Sequence, residues 1–153
     1  MIAWCQSLLR KLRSLAGGQA GSVAASAAAD DPDAEIREVF LAELAEVTKA
    51  LQSAFVDWRA HPADADALKR LRRGFHTLKG SAPLVGATAL SETSRHLEHF
   101  IARLTDKPAS AEMMRVLDYS IQLLPACAEA IRSARPLPPQ LRAISVQVQR
   151  YLA

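Results

Sequence analysis

Aromatic residues are scarce in this chain, with two Trp, two Tyr and four Phe among 153 residues. No run of alternating β-branched residues bounded by turn signals occurs either, so the pattern offers nothing to build a sheet from and predicts an all-α chain. The six glycines stand at 17, 18, 21, 74, 80 and 86. None of their spacings makes a phosphate-binding loop, which excludes a complete ATP-dependent kinase within this sequence. The two cysteines, Cys5 and Cys127, are far apart and form no C-x-x-C pair, which argues against a zinc site and a disulfide framework and makes a reducing cytoplasm the expected compartment. No stretch approaches the roughly 20 apolar residues that cross a bilayer.

An excess of one charge is missing where it would matter. The formal net charge is +3, but residues 1–29 hold Arg10, Lys11 and Arg13 and no acid, which leaves 16 basic against 16 acidic side chains in the remainder. A neutral domain does not suit a nucleic-acid backbone. Within it the charges are segregated, with Glu35, Glu38, Glu43 and Glu46 early and a basic cluster from Lys69 to Arg73, a distribution that favours a protein partner.

Half of the residues are hydrophobic, enough for one core, and the length predicts one domain with tails. Residues 2–15 form a short amphipathic pattern, apolar at Ile2, Cys5, Leu8, Leu9, Leu12 and Leu15 and basic opposite. Its charges follow its apolar part, the reverse of a secretory signal, whereas Trp4 and the basic face fit a weak membrane-surface contact. Residues 16–29 are uncharged and rich in Ala, Gly and Ser, a flexible tether. The sequence thus divides into a basic helix and tether over 1–30, a helical domain over 31–135, and a Pro-rich turn with a short helix over 136–153.

Asp31, Pro32, Asp33 and Glu35 predict a helix start, with the stripe Ile36, Val39, Phe40, Leu44, Val47, Leu51 and Phe55 carrying the helix to about Arg59 before His61-Pro62. A second helix is expected over 64–85, stopped by Gly86. A third follows from near Thr88, burying Leu90, Leu97, Phe100, Ile101 and Leu104. The turn at Asp106-Lys107-Pro108 leads to a fourth, capped by Ser110 and using Met113, Leu117, Ile121, Leu124, Ala128 and Ile131. Short loops between four helices predict an antiparallel up-down four-helix bundle with a short extra helix at each end. Pro83 and Pro125 fall inside predicted helices and should bend them.

In the second helix Leu68, Leu71, Phe75, Leu78, Ala82 and Val85 gather on one side, and His76 lies roughly 130° from the centre of that stripe. Lys69, Arg72, Arg73 and Lys79 share its exposed arc, with Gly80 one turn further on. A displayed imidazole in a cationic field beside a position without a side chain suits a transferred phosphoryl group.

The run His76-Thr77-Leu78-Lys79-Gly80-Ser81, followed by Ala82-Pro83-Leu84-Val85-Gly86-Ala87 in a helical bundle, resembles the histidine phosphotransfer (HPt) family. Over residues 75–100 it is most similar to the amino-terminal phosphotransfer domain of chemotaxis-type, CheA-like histidine kinases. The resemblance implies a phosphorelay carrier without its own ATP-binding domain, exchanging phosphoryl groups with response-regulator receiver domains and a histidine kinase in two-component or chemosensory signalling. It makes His76 the phospho-acceptor, Lys79 the cation offsetting phosphate charge, Glu98 the acceptor that fixes the imidazole tautomer, and Gly80 the clearance for an incoming receiver. Lys69, Arg72, Arg73 and Pro83 would belong to the docking surface. No cofactor is expected on this chain, and magnesium is expected on the partner receiver. Arg95 and Pro83 depart from the family's pattern, where a second histidine is frequent and a proline unusual.

A kinase dimerisation helix fits poorly, because an acid usually follows its histidine and Thr77 stands here. A di-iron bundle would need Glu-x-x-His on two helices, and although Glu92, His96 and His99 share one helix, that motif does not occur. The remaining alternative is a helical module that docks receiver domains without turnover.

Overall fold

The first helix follows from its start and its stripe. In the computed structural model, which describes residues 32–105 and 109–153, α1 runs over Pro32–Ala60 with Asp33 and Glu35 in its first turn. Phe40, Leu44, Leu51 and Phe55 are buried as the pattern predicts, and Leu41, Ala54 and Trp58 join them, while Ile36, Val39 and Val47 are only half-buried. The expected basic helix over 2–15, the tether, the Asp31 cap and the turn at Asp106-Lys107-Pro108 lie outside the described residues.

Asp64 accepts from the amides of Asp66 and Ala67 at 2.9 and 3.0 Å and so caps α2, Ala65–Ser81. The apolar face of α2 buries Leu68, Leu71, Phe75 and Leu78. Gly74 belongs to that buried face too, for a packing reason: a Cβ there would stand 2.6 Å from Leu51 Cδ2 of α1. Leu51 is itself fully buried in the core. Gly74→Ala should therefore lower the urea midpoint, because the overpacking penalty of about 1–3 kcal/mol exceeds the roughly 1 kcal/mol gained in helix propensity.

The second helix is shorter than expected. Its α-helical part stops at Ser81, and Ala82–Val85 form a 3-10 turn with Pro83 at its beginning. Proline has no N–H for the carbonyl four residues earlier, so it starts a new, tighter element in place of bending the old one. Gly86 closes the turn at φ 71°, its amide reaching the Ala82 and Pro83 carbonyls. Pro125 acts in the same way: the expected fourth helix is divided into α4, Ala111–Gln122, and α5, Leu124–Arg132, with the proline in the first turn of α5. Ser110 caps α4 by accepting from Met113 N at 3.2 Å.

α3, Thr88–Arg103, buries Leu90, Leu97, Phe100 and Ile101 and lies along α2. α6, Gln140–Leu152, packs on α3 and α4, adding Leu141, Ile144 and Val148 to the same core. Polar contacts fasten α6 as well: Thr93 Oγ1 donates to Leu141 O at 3.1 Å and Arg103 Nη1 to Leu152 O at 2.7 Å. The described residues are a bundle of helices with no strand, and residues 36–153 form one compact unit.

Candidate functional site

Helical periodicity sets His76 outside the core. Phe75 and Leu78 are buried on either side of it, whereas the His76 side chain is 64% exposed. Glu98 sits at the edge of the apolar face of α3 and is nearly buried, its side chain 9% exposed, yet it reaches across to α2. Glu98 Oε1 lies 2.8 Å from His76 Nδ1, and Lys79 Nζ donates to Glu98 Oε2 at 2.8 Å. One carboxylate thus holds His76 and Lys79 of α2, one on each oxygen.

Burial pushes the Glu98 carboxyl upward, but the hydrogen bonds and charges of Lys79 and His76 outweigh it, and the group lies below the usual carboxylate range. Glu98 is therefore ionised at neutral pH and can only accept. Nδ1 must then carry the proton, and in the neutral ring Nε2 keeps the lone pair. This is the tautomer that a nucleophilic Nε2 requires.

Gly80 is exposed, and a Cβ built on it meets no atom within 4 Å. Unlike Gly74, it is not demanded by the packing of the bundle. Arg72 and Arg73 lie one turn before His76 and line, with Lys69, Arg70, Asp66, His76 and Glu98, an open cleft of about 750 Å³. Acids partner two of these cations, Arg70 with Asp57 at 2.9 Å and Lys69 with Asp66 at 3.8 Å. Arg72 and Arg73 form no ion pair among the described residues and keep their charge toward the cleft. Pro83 is exposed in the 3-10 turn and does not line this cleft.

Several neighbouring groups are occupied elsewhere. Arg95 turns to the buried His96, donating to its Nε2 at 2.9 Å, and His96 Nδ1 lies 2.8 Å from Ser145 Oγ. Gln149 also approaches His96 Nε2 at 2.9 Å, so the imidazole serves the α3–α6 contact. Desolvation and the Arg95 charge lower the His96 pKa, keeping it neutral. Burial raises the Cys127 thiol to about 11, which leaves it unreactive.

Two features of the site escape sequence inspection. The helix pattern puts Lys79 one turn from His76, but nothing in it gives the two side chains the same carboxylate. Ser91, half-buried on α3, donates from Oγ to the Lys79 carbonyl at 2.7 Å. The signal for it is Pro83, four residues after Lys79, which withdraws that carbonyl's helical donor.

The Hpt domain family model matches residues 35–134. The sensor histidine kinase CheAY of Helicobacter pylori is 31% identical over 100 residues, covering 64% of this chain. The chain spans only 12% of that kinase's length. No solved structure matches the chain. With the match extending from α1 to the end of α5 and enclosing His76, Lys79 and Glu98, the chain belongs to the Hpt family, the histidine phosphotransfer domains of two-component and chemosensory phosphorelays.

Proposed function

We propose that His76 is the phosphorylated residue, taking a phosphoryl group on Nε2 from the aspartyl phosphate of a receiver domain and returning it by the reverse step. The observation that carries this is the Glu98 clamp, which ties down Nδ1 and leaves Nε2 as the lone-pair nitrogen of an exposed ring. In the forward step the Nε2 lone pair forms the N–P bond and the P–O bond to the aspartyl carboxylate breaks, the carboxylate leaving with the electron pair. Positive charge developing on the imidazole is stabilised through the Nδ1 proton by ionised Glu98. Lys79 stands one turn from His76, and Arg72 and Arg73 add charge on the other side.

Gly80 gives the receiver's acidic site room to approach, and any magnesium used in the exchange sits on the receiver. A histidine kinase is the original phosphoryl source, since His76 carries phosphate without making it from ATP. Cytoplasmic location belongs to this proposal; no helix among the described residues is long and apolar enough to cross a membrane.

Incubation with a panel of phosphorylated receiver domains tests the proposal directly. Acid-labile label should appear on the wild-type chain. Binding of a receiver with no transfer would identify a docking module instead. Glu98→Gln should keep a hydrogen bond to Nδ1 but lose the charge, slowing transfer about tenfold to hundredfold without abolishing it. A Glu98→Gln protein transferring at the wild-type rate would exclude Glu98 from orienting the imidazole.

A further inference from the structure

Lys79 and Gly80 occupy the last turn of α2, where backbone pairing is about to change. In a continuing α-helix the Lys79 carbonyl would accept from the amide four residues on. That residue is Pro83, which has no N–H. Ser91, in the first turns of α3, donates its hydroxyl to this carbonyl at 2.7 Å. Ser91 and Glu98 are seven residues apart on α3, so both face α2. One holds the backbone of Lys79 and the other its ammonium.

We propose that Ser91 is a positioning residue of the phosphotransfer site, its hydroxyl replacing the backbone donor that Pro83 removes and thereby fixing the end of α2 that presents Lys79 and Gly80. It touches no reacting atom. Its effect on transfer passes through the register of α2 against α3: with the carbonyl untied, the last turn frays, the Lys79–Glu98 pair loosens, and Gly80 shifts on the docking face. The effect on rate rests on the phosphotransfer reading of His76, whereas the hydrogen bond itself does not.

The test is a double-mutant cycle in the full chain with Ser91→Ala, Pro83→Ala and both together, using a phosphorylated receiver as donor. Ser91→Ala should slow transfer about fivefold, the effect of one lost hydrogen bond. In the Pro83→Ala background residue 83 regains an N–H for Lys79 O, so Ser91→Ala should then change the rate by less than about 1.5-fold relative to Pro83→Ala alone. Ser91→Thr, which keeps the hydroxyl, should stay within about twofold of wild type.

Two readouts need no phosphate. The Lys79 carbonyl ¹³C shift and the exchange rates of amides in the last turn of α2 should change in Ser91→Ala and return toward the Pro83→Ala values in the double variant. Equal rate losses in both backgrounds would overturn the proposal, since Ser91 would then act through general packing. An unchanged Lys79 carbonyl would overturn it as well. Should the wild-type chain accept phosphate from no receiver, the phosphotransfer reading fails, while the carbonyl and exchange data still decide whether Ser91 fixes the end of α2.

Discussion

Purified His76→Gln protein is expected to take no label from a phosphorylated receiver while keeping the helical signal and denaturation midpoint of the wild type. Glutamine lacks the ring nitrogen that forms the N–P bond, so the loss is complete and not graded. The fold survives because the His76 side chain is 64% exposed and contributes little to the core. The Gln amide can also still donate to Glu98 Oε1, which preserves the tie between α2 and α3. Surface changes of this kind stay within about 0.5 kcal/mol. Two results would remove His76 from its role: label persisting on His76→Gln, or label on the wild type that survives acid, as a phosphoester would.

Gly80→Gln should come next in size, lowering transfer at least about 100-fold, because a long side chain one turn from His76 fills the space a receiver must enter. Two opposite effects make this informative. The free protein has open space at this position, with nothing within 4 Å of an added Cβ, and glutamine is a better helix former than glycine. Stability should be equal or higher by up to about 1 kcal/mol. A variant that is more stable and inactive in transfer locates the defect in docking. Exchange at the normal rate would mean that the receiver approaches from another side and that Gly80 is merely tolerated.

The same comparison separates the two helical glycines. Gly74 and Gly80 are both lone glycines in a predicted helix, and the sequence sets Gly80 apart by its place on the His76 arc without giving any reason for a glycine at 74. Only the approach of Leu51 from α1 makes one a packing requirement and leaves the other facing open space. Likewise, Pro83 and Pro125 announce interruptions, but whether a proline bends a helix or begins a new one depends on what satisfies the carbonyls it leaves behind. At Pro83 part of the answer is Ser91, twelve residues from Lys79 and on another helix.

The sequence by itself determined the helical class, the main apolar stripes, the stop at His61-Pro62, and the outward placement of His76 amid basic residues. These are properties of single segments, fixed by 3.6-residue periodicity and by the backbone limits of proline and glycine. Tertiary structure alone decided that Glu98, which the family resemblance already pairs with His76, also holds Lys79, that Arg95 and His96 serve the contact with α6, and that α6 completes the core. Those contacts join residues on different helices. Their distances depend on how deeply the helices approach and in what register, and a helical wheel describes each helix without describing its neighbour.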